Sequence, residues 1–282
     1  MIKSSVTIAL VPEIKQGPWI FWHDLKASIQ KAADLKFDAV ELFTSSAQAV
    51  DTSELKAYLA AQSMGISAVG TGAGKVIHGL TLTDADPEIR QKAVQFIADM
   101  MRFGAQFEAP AIIGSMQGNA GLDRAVSLRD LADSLKELGA LAISLGVDLI
   151  YEPLNRYETN LFNRLEDAAA FLEAEEIAGV GLLADFFHMN IEEEDLAASI
   201  RKNARWIRHV HFADSNRRPI GFGHTEMNSV SKALQDIGYS GYVSAEAFPW
   251  PDSDAAAAQT IQAFNHYFKN KRIIRHDPSG SN

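Results

Sequence analysis

The chain has 282 residues and no cysteine, with 36 acidic against 26 basic side chains and a formal charge of -10. Disulfides, thiolate metal sites and thiol nucleophiles are thereby excluded. A nucleic acid is disfavoured as partner, because its phosphates need cationic neutralisation. No apolar run is long enough to span a membrane, and the N-terminal MIKSSVTIALVPEIK lacks a signal peptide's apolar stretch and cleavage site, so a cytoplasmic protein is expected.

Short apolar or β-branched runs alternate with longer amphipathic stretches along the whole chain. In chain order, SVTIAL reads as a strand, followed by the aromatic loop WIFWHD and the helix DLKASIQKAADL. DAVELF and ISAVGTG are the next strands, with the helix DTSELKAYLAAQSM between them and DPEIRQKAVQFIADMMRF after them. PAIIGSM, VDLIYEP, VGLLADF, WIRHVHF and GYVSAEAF complete a set of eight strands. SLRDLADSLKELGALAISL, LEDAAAFLEAEE, EEDLAASIRKN and NSVSKALQDI are the helices that separate them. Several helices open at Asp, Ser or Asn, which can cap free backbone N–H groups, and three run into a glycine: Gly65, Gly146 and Gly238.

Strand–helix alternation at this length predicts an α/β chain closed into a (β/α)8 barrel, with an open doubly wound sheet as the second architecture. Nothing divides the chain, so residues 1–282 are expected to form one domain, with a fraying polar tail from about residue 272 that ends in HDPSGSN.

Both architectures place ligands at the carboxyl ends of the strands. There Glu152, Asp185, His211 and Glu246 end strands five to eight, each roughly one βα unit (~30 residues) from the next. Alternation turns Leu149 and Tyr151 toward the helices and Ile150 and Glu152 toward the barrel axis. Three carboxylates converging without a cation would repel and raise each other's pKa. A divalent metal resolves that conflict, and three carboxylates with one imidazole suit Mn²⁺ foremost, or Mg²⁺ or Co²⁺, better than a closed zinc site. Taken singly, each of the four reads more readily as a solvated or hydrogen-bonded acid or imidazole; the register across four strands favours the metal.

YEPLNRYETN, ADFFHMNIEEED, HVHFADSNRRPIGFGH and GYVSAEAF together resemble the sugar isomerase/epimerase group with a xylose-isomerase-like TIM barrel, and most nearly the ketose 3-epimerases of the tagatose and allulose type. The resemblance implies that Glu152, Asp185, His211 and Glu246 hold one divalent metal, with Glu152 and Glu246 also the catalytic bases. It further implies that Glu158, His188 and Arg217 bind the substrate, and that the protein is a homodimer or homotetramer. Phe186, Asp214 and Ala247 depart from the group's usual Thr, Glu and Pro, and the loop GTGAGKVIHGLTLTD is unlike that of the known ketohexose enzymes.

The expected activity is C3 epimerisation of a small ketose through a cis-enediolate, one acid removing the C3 proton and the other returning one on the opposite face. Aldose–ketose (or hydroxypyruvate-type) isomerisation needs the same parts, and so does a lyase or dehydratase acting on a keto-sugar or inositol derivative. A non-catalytic sugar binder and a zinc-cluster DNA enzyme are the remaining rivals, the latter short of histidines on strands two to four.

Alternatives stand beside single residues. Arg217 reads as a donor to substrate oxygens or as part of a solvated basic corner, the better reading for Arg218. His188 contacts substrate or is packed, and Glu158 orients hydroxyls or caps the helix after Asn163. His209 fits a hydrogen-bonded core histidine, and Glu41 an inward group supporting the site. Trp19, Phe21 and Trp22 form a wall over the sugar or pack on a helix or subunit. GTGAGK lacks the phosphate-loop spacing, so loop geometry is the simpler reason for its glycines, with Lys75 or His78 as anion contacts the rival.

Overall fold

A computed structural model of the chain describes residues 1–269. The polar tail expected from about residue 272 lies outside the described residues. Eight parallel strands form the barrel: β1 (Lys3–Leu10), β2 (Ala39–Thr44), β3 (Gly65–Gly70), β4 (Ala111–Ile113), β5 (Leu149–Tyr151), β6 (Val180–Asp185), β7 (Ile207–His211) and β8 (Tyr242–Ala245). Each pairs with the next, and β8 returns to β1 in register from Lys3 opposite Tyr242 to Val6 opposite Ala245, which closes the barrel. The open-sheet alternative is therefore set aside.

The strands are short and apolar because both faces are covered. All six residues of β2 and of β6 are buried. Alternation sorts the side chains as expected. Ala68, Ile112, Ile150 and Leu183 pack together as a cluster inside the barrel, while Leu149 and Tyr151 join the core between strands and helices. Asp24, Asp51, Asp86, Asp123, Asp195 and Asp252 each accept a backbone N–H at a helix start. No described helix is long and apolar enough to cross a membrane.

Four local expectations change. Gly146 and Gly238 do take positive φ, but after the second helix it is Ser63 that adopts the left-handed conformation, and Gly65 instead opens β3. The helix expected from Asn228 starts one residue earlier and is capped by Glu226. GTGAGK is not all loop, since Ala73–His78 is helical, and so is Phe186–Glu192 after β6. Finally, Phe21 and Trp22 form a two-residue strand beside Ile8 and Ala9, on the edge of β1 that β8 vacates after Ala245.

Candidate active site

The four strand-end residues converge. Asp185 and His211 are the last residues of their strands, and Glu152 and Glu246 follow theirs directly. One ligating atom from each lies within 4.8 Å of all the others. His211 Nδ1 is 3.3 Å from Asp185 Oδ2, 3.5 Å from Glu152 Oε1 and 3.6 Å from Glu246 Oε2. The other ring nitrogen, Nε2, lies 3.0 Å from Glu41 Oε1, and the second oxygen of Glu41 is 2.7 Å from His209 Nε2. An ionised carboxylate only accepts, so Glu41 holds a proton of His211 on Nε2. Burial opposes a second proton, but Glu41, Glu246, Asp185 and Glu152 outweigh it and hold the imidazole pKa well above the usual 6.5. Nδ1 thus faces the acids as a site for a proton or a cation. Sequence reasoning placed His209 in the core and Glu41 inward, and both positions hold.

The electrostatics of this cluster call for a cation. Burial, with the charge of Glu246 beside it, holds the Glu152 carboxyl above the usual carboxylate range despite the pull of His211. Burial also opposes ionisation of Asp185, but His188, His211 and Arg217 outweigh it and keep that group well below the usual range. Glu152 Oε1 is buried and has no hydrogen-bond partner among the described residues. Leaving a buried oxygen unsatisfied costs about 1–3 kcal/mol, more when it is charged. Three carboxylates, one of them with an orphaned oxygen, and an imidazole nitrogen around one point fit a divalent cation bound by hard donors.

Two further residues hold substrate-side groups in place. Arg217 sits at φ 58° in a loop that Asp214 organises. The Asp214 carboxylate accepts from the backbone N–H groups of Ser215, Gly221 and Gly223 at 2.8 Å and of Thr225 at 3.0 Å, and its carbonyl accepts from Arg217 N–H at 2.7 Å. The shortened acid at this position is thus the hub of the loop. The Arg217 guanidinium donates to Glu246, lies 3.5 Å from Glu158 Oε1 and stacks 4.7 Å from the Phe187 ring centre. It is not a solvated corner. Arg218 is half-buried and stacks at 4.3 Å on the exposed Trp250.

His188 is buried, and its Nδ1 is 3.2 Å from the Asn155 backbone nitrogen and 2.7 Å from Asn155 Nδ2. Both are donors, so the imidazole proton rests on Nε2. That atom has no hydrogen-bond partner and lies 3.7 Å from Asp185 Oδ2 and 3.8 Å from Glu152 Oε1. Glu158 accepts from Asn155 Nδ2 at 2.9 Å and caps no helix, because Glu193 takes that role at the Leu165 N–H. Asn155 thus orients two of the implied substrate residues. Its place inside EPLNRYET was the only sequence signal for it.

The acids open into a cavity of ≈ 200 Å³. Its far wall is apolar, with Trp19, Leu42, Phe43, Val76 and Leu154. Trp19 stacks on Phe43 with centroids 4.5 Å apart and meets the edge of Trp22. Phe21 instead turns into the main core, so the aromatic loop is divided between the two expected roles. Lys75 and His78 do not line the cavity, and the Gly74 backbone is in close contact with Met116, where a Cβ would come within 2.6 Å of the sulfur. Packing accounts for Gly74.

The family model for the xylose isomerase-like TIM barrel matches residues 29–266. D-psicose 3-epimerase of Ruminiclostridium cellulolyticum is 31% identical over 235 residues, which is 80% of this chain and 78% of that protein. 3-Dehydro-D-guloside 4-epimerase of Escherichia coli K12 is 36% identical over 113 residues, 40% of this chain and 43% of that protein. A solved L-ribulose 3-epimerase superposes with a TM-score of 0.82 at 22% identity, covering 99% of this chain and all of the other, and attests the fold. With the barrel, the converging strand ends and these relatives taken together, the chain belongs to the xylose isomerase-like TIM-barrel family and is closely related to its ketose 3-epimerases.

Proposed function

We propose that the protein epimerises a small ketose at C3, using one divalent metal, Mn²⁺ foremost. The observation that carries this reading is the placement of two acids about one centre. Glu152 rises from β5 and Glu246 from β8, with the Asp185 and His211 strands between them, so the pair flanks the centre. Epimerisation needs that arrangement, because a proton must leave one face of C3 and another arrive on the opposite face.

Glu152, Asp185, His211 and Glu246 would hold the metal. When bound, it supplies Lewis acidity to the carbonyl and adjacent hydroxyl oxygens of the substrate. One acid takes the C3 proton while the other, protonated, delivers its own to the opposite face; the reverse reaction exchanges their roles. Arg217 and the Nε2–H of His188 would donate to the oxygens on which enediolate charge develops. Glu158 accepts from a substrate hydroxyl, and Trp19 with Phe43 covers the apolar side of the sugar.

The stretch 36% identical to a 3-dehydro-guloside 4-epimerase favours a second reading, in which the same proton transfers occur at C4 beside a C3 ketone. NMR of a panel of ketoses and 3-keto-glycosides in D₂O separates the readings, with the protein loaded with Mn²⁺ and exchanged into Mg²⁺ before recording. Deuterium at C3 with a new C3 epimer supports the proposal. Deuterium at C4 of a 3-keto sugar selects the second reading, and deuterium at C1 with an aldose appearing selects an isomerase. No exchange into any of them, with metal bound, overturns both epimerase readings.

A further inference from the structure

We propose that Gln117 is a positioning residue for Glu152, acting through the backbone of that acid. The inference rests on the reading of Glu152 as metal ligand and base. Gln117 lies in the turn after β4 and is completely buried. Its Nε2 donates to Glu152 O and to Gly114 O, each at 2.9 Å. Its Oε1 accepts from the Tyr151 hydroxyl at 2.5 Å. Turning the amide over would set an oxygen against two carbonyls, so only one orientation satisfies all three partners.

The other backbone group of Glu152 is held too, its N–H donating to Ile113 O at 3.0 Å. Both ends of this residue's backbone are thus fixed to β4 and the turn after it. The same turn shapes the space for the carboxylate. Gly114 takes φ -98° and ψ -105°, and a Cβ there would lie 2.6 Å from Glu152 Oε2. Gln117 therefore holds the Glu152 carbonyl to the very segment whose missing side chain leaves room for its carboxylate. A tilt of that peptide plane would swing the acid away from His211 and from the reacting carbon. A displacement near 1 Å is enough to slow a reaction about 10²-fold.

The rival account is that Gln117 merely satisfies buried carbonyls. The two accounts differ in symmetry. In one C3 epimer the labile proton faces Glu152, in the other Glu246, so a misplaced Glu152 slows abstraction from one epimer only. General loosening slows both alike.

The test uses the Mn²⁺-loaded enzyme with D-psicose and D-fructose, a C3-epimeric pair, and reads the initial entry of deuterium at C3 from D₂O. Gln117→Met keeps the length and removes all three bonds, whereas Tyr151→Phe removes one. Relative to wild type, Gln117→Met should slow exchange from one sugar about 10- to 100-fold more than from the other. KM should change less than about 3-fold, since substrate binding is not touched. The Kd for Mn²⁺, measured without substrate from the resonance of free Mn²⁺, should rise about 10-fold. Tyr151→Phe should move both readouts the same way by less. Equal slowing of the two sugars with an unchanged Mn²⁺ Kd overturns the proposal, and if Gln117→Met does not fold, Tyr151→Phe decides on the same criteria. Should wild type exchange neither sugar, the proposed function fails on this pair and the Mn²⁺ Kd alone decides for Gln117.

Discussion

The β4–β5 corner and the β7–β8 corner each present a glutamate to the same centre, and they do so by different means. Glu152 is held through its backbone and by the space left at Gly114, and among the described residues no arginine or lysine bonds to it and one of its oxygens is unpartnered. Glu246 is held by its side chain, paired with an arginine that stands on a loop gathered by Asp214. Shape fixes one acid and charge fixes the other. Two groups of identical chemistry are thereby given different surroundings, which is how a pair of acids comes to divide a proton transfer between them.

That contrast is open to experiment. The largest effect is expected from Glu152→Gln or Glu246→Gln, each lowering kcat on the order of 10⁴-fold, as loss of an essential base does. Activity in either variant within tenfold of wild type would remove that acid from the chemistry. Arg217→Lys keeps the charge but not the planar fork, and should lower kcat about 10²- to 10³-fold. If only KM responds, Arg217 serves binding and not the charged state.

Asp214→Asn probes the same corner from behind and should reduce kcat about 10-fold by loosening the Arg217 loop. Burial raises the Asp214 carboxyl, but the amides of Thr225, Ser215, Gly221 and Gly223 outweigh it and hold its pKa below the ordinary 3.8. Its contribution to stability is therefore complete above about pH 4 and is lost as pH falls through the depressed value. The stability gap between wild type and Asp214→Asn should narrow on acidification below about pH 4, as denaturant titrations at stepped pH would show. A gap independent of pH would mean that the carboxylate charge is not what holds the loop.

Trp19→Ala should raise KM about tenfold with kcat nearly unchanged, the value of one aromatic contact. A kcat effect larger than the KM effect would give the wall a part in the reaction itself. The smallest effect is a split in metal-free melting temperature. Glu152→Gln removes a desolvated charge that Glu246 repels and should raise it, while Glu246→Gln unpairs Arg217 and should lower it, each by about 2–4 °C. Shifts of equal sign would show that the two corners are not held differently after all.

The quartet was legible because a parallel strand announces its end. An apolar run such as LIY or VGLLA stops at an acid, and the spacing of three such acids and one histidine repeats the βα unit. Period and punctuation carry that information locally. Gln117 carries none, since its partners are two main-chain carbonyls and the Tyr151 hydroxyl, two of the three 34 or 35 residues away, and nothing in SMQG marks it. Gly114 was missed for the same reason, its meaning lying in an oxygen from the next strand. Phe21 looked identical in kind to Trp19, and only the pairing with Ile8 turned one inward and left the other on the cavity. Ser63 took the turn assigned to Gly65 because a single left-handed residue is tolerated where the helix end demands it.

The two-residue strand has a bearing on how substrates are chosen. Trp19 is joined to a segment that is laced to β1: Phe21 and Trp22 pair with Ile8 and Ala9, the Ile20 N–H donates to Thr7 Oγ1 at 3.1 Å, and the His23 N–H to Ala9 O at 2.8 Å. Swinging it aside would break these bonds, about 1 kcal/mol apiece, and expose Phe21 at a further cost of about 2 kcal/mol. The aromatic wall is thus a mould and not a hinged door. A sugar is admitted on that side by fitting a contour already in place, so discrimination there is set before binding.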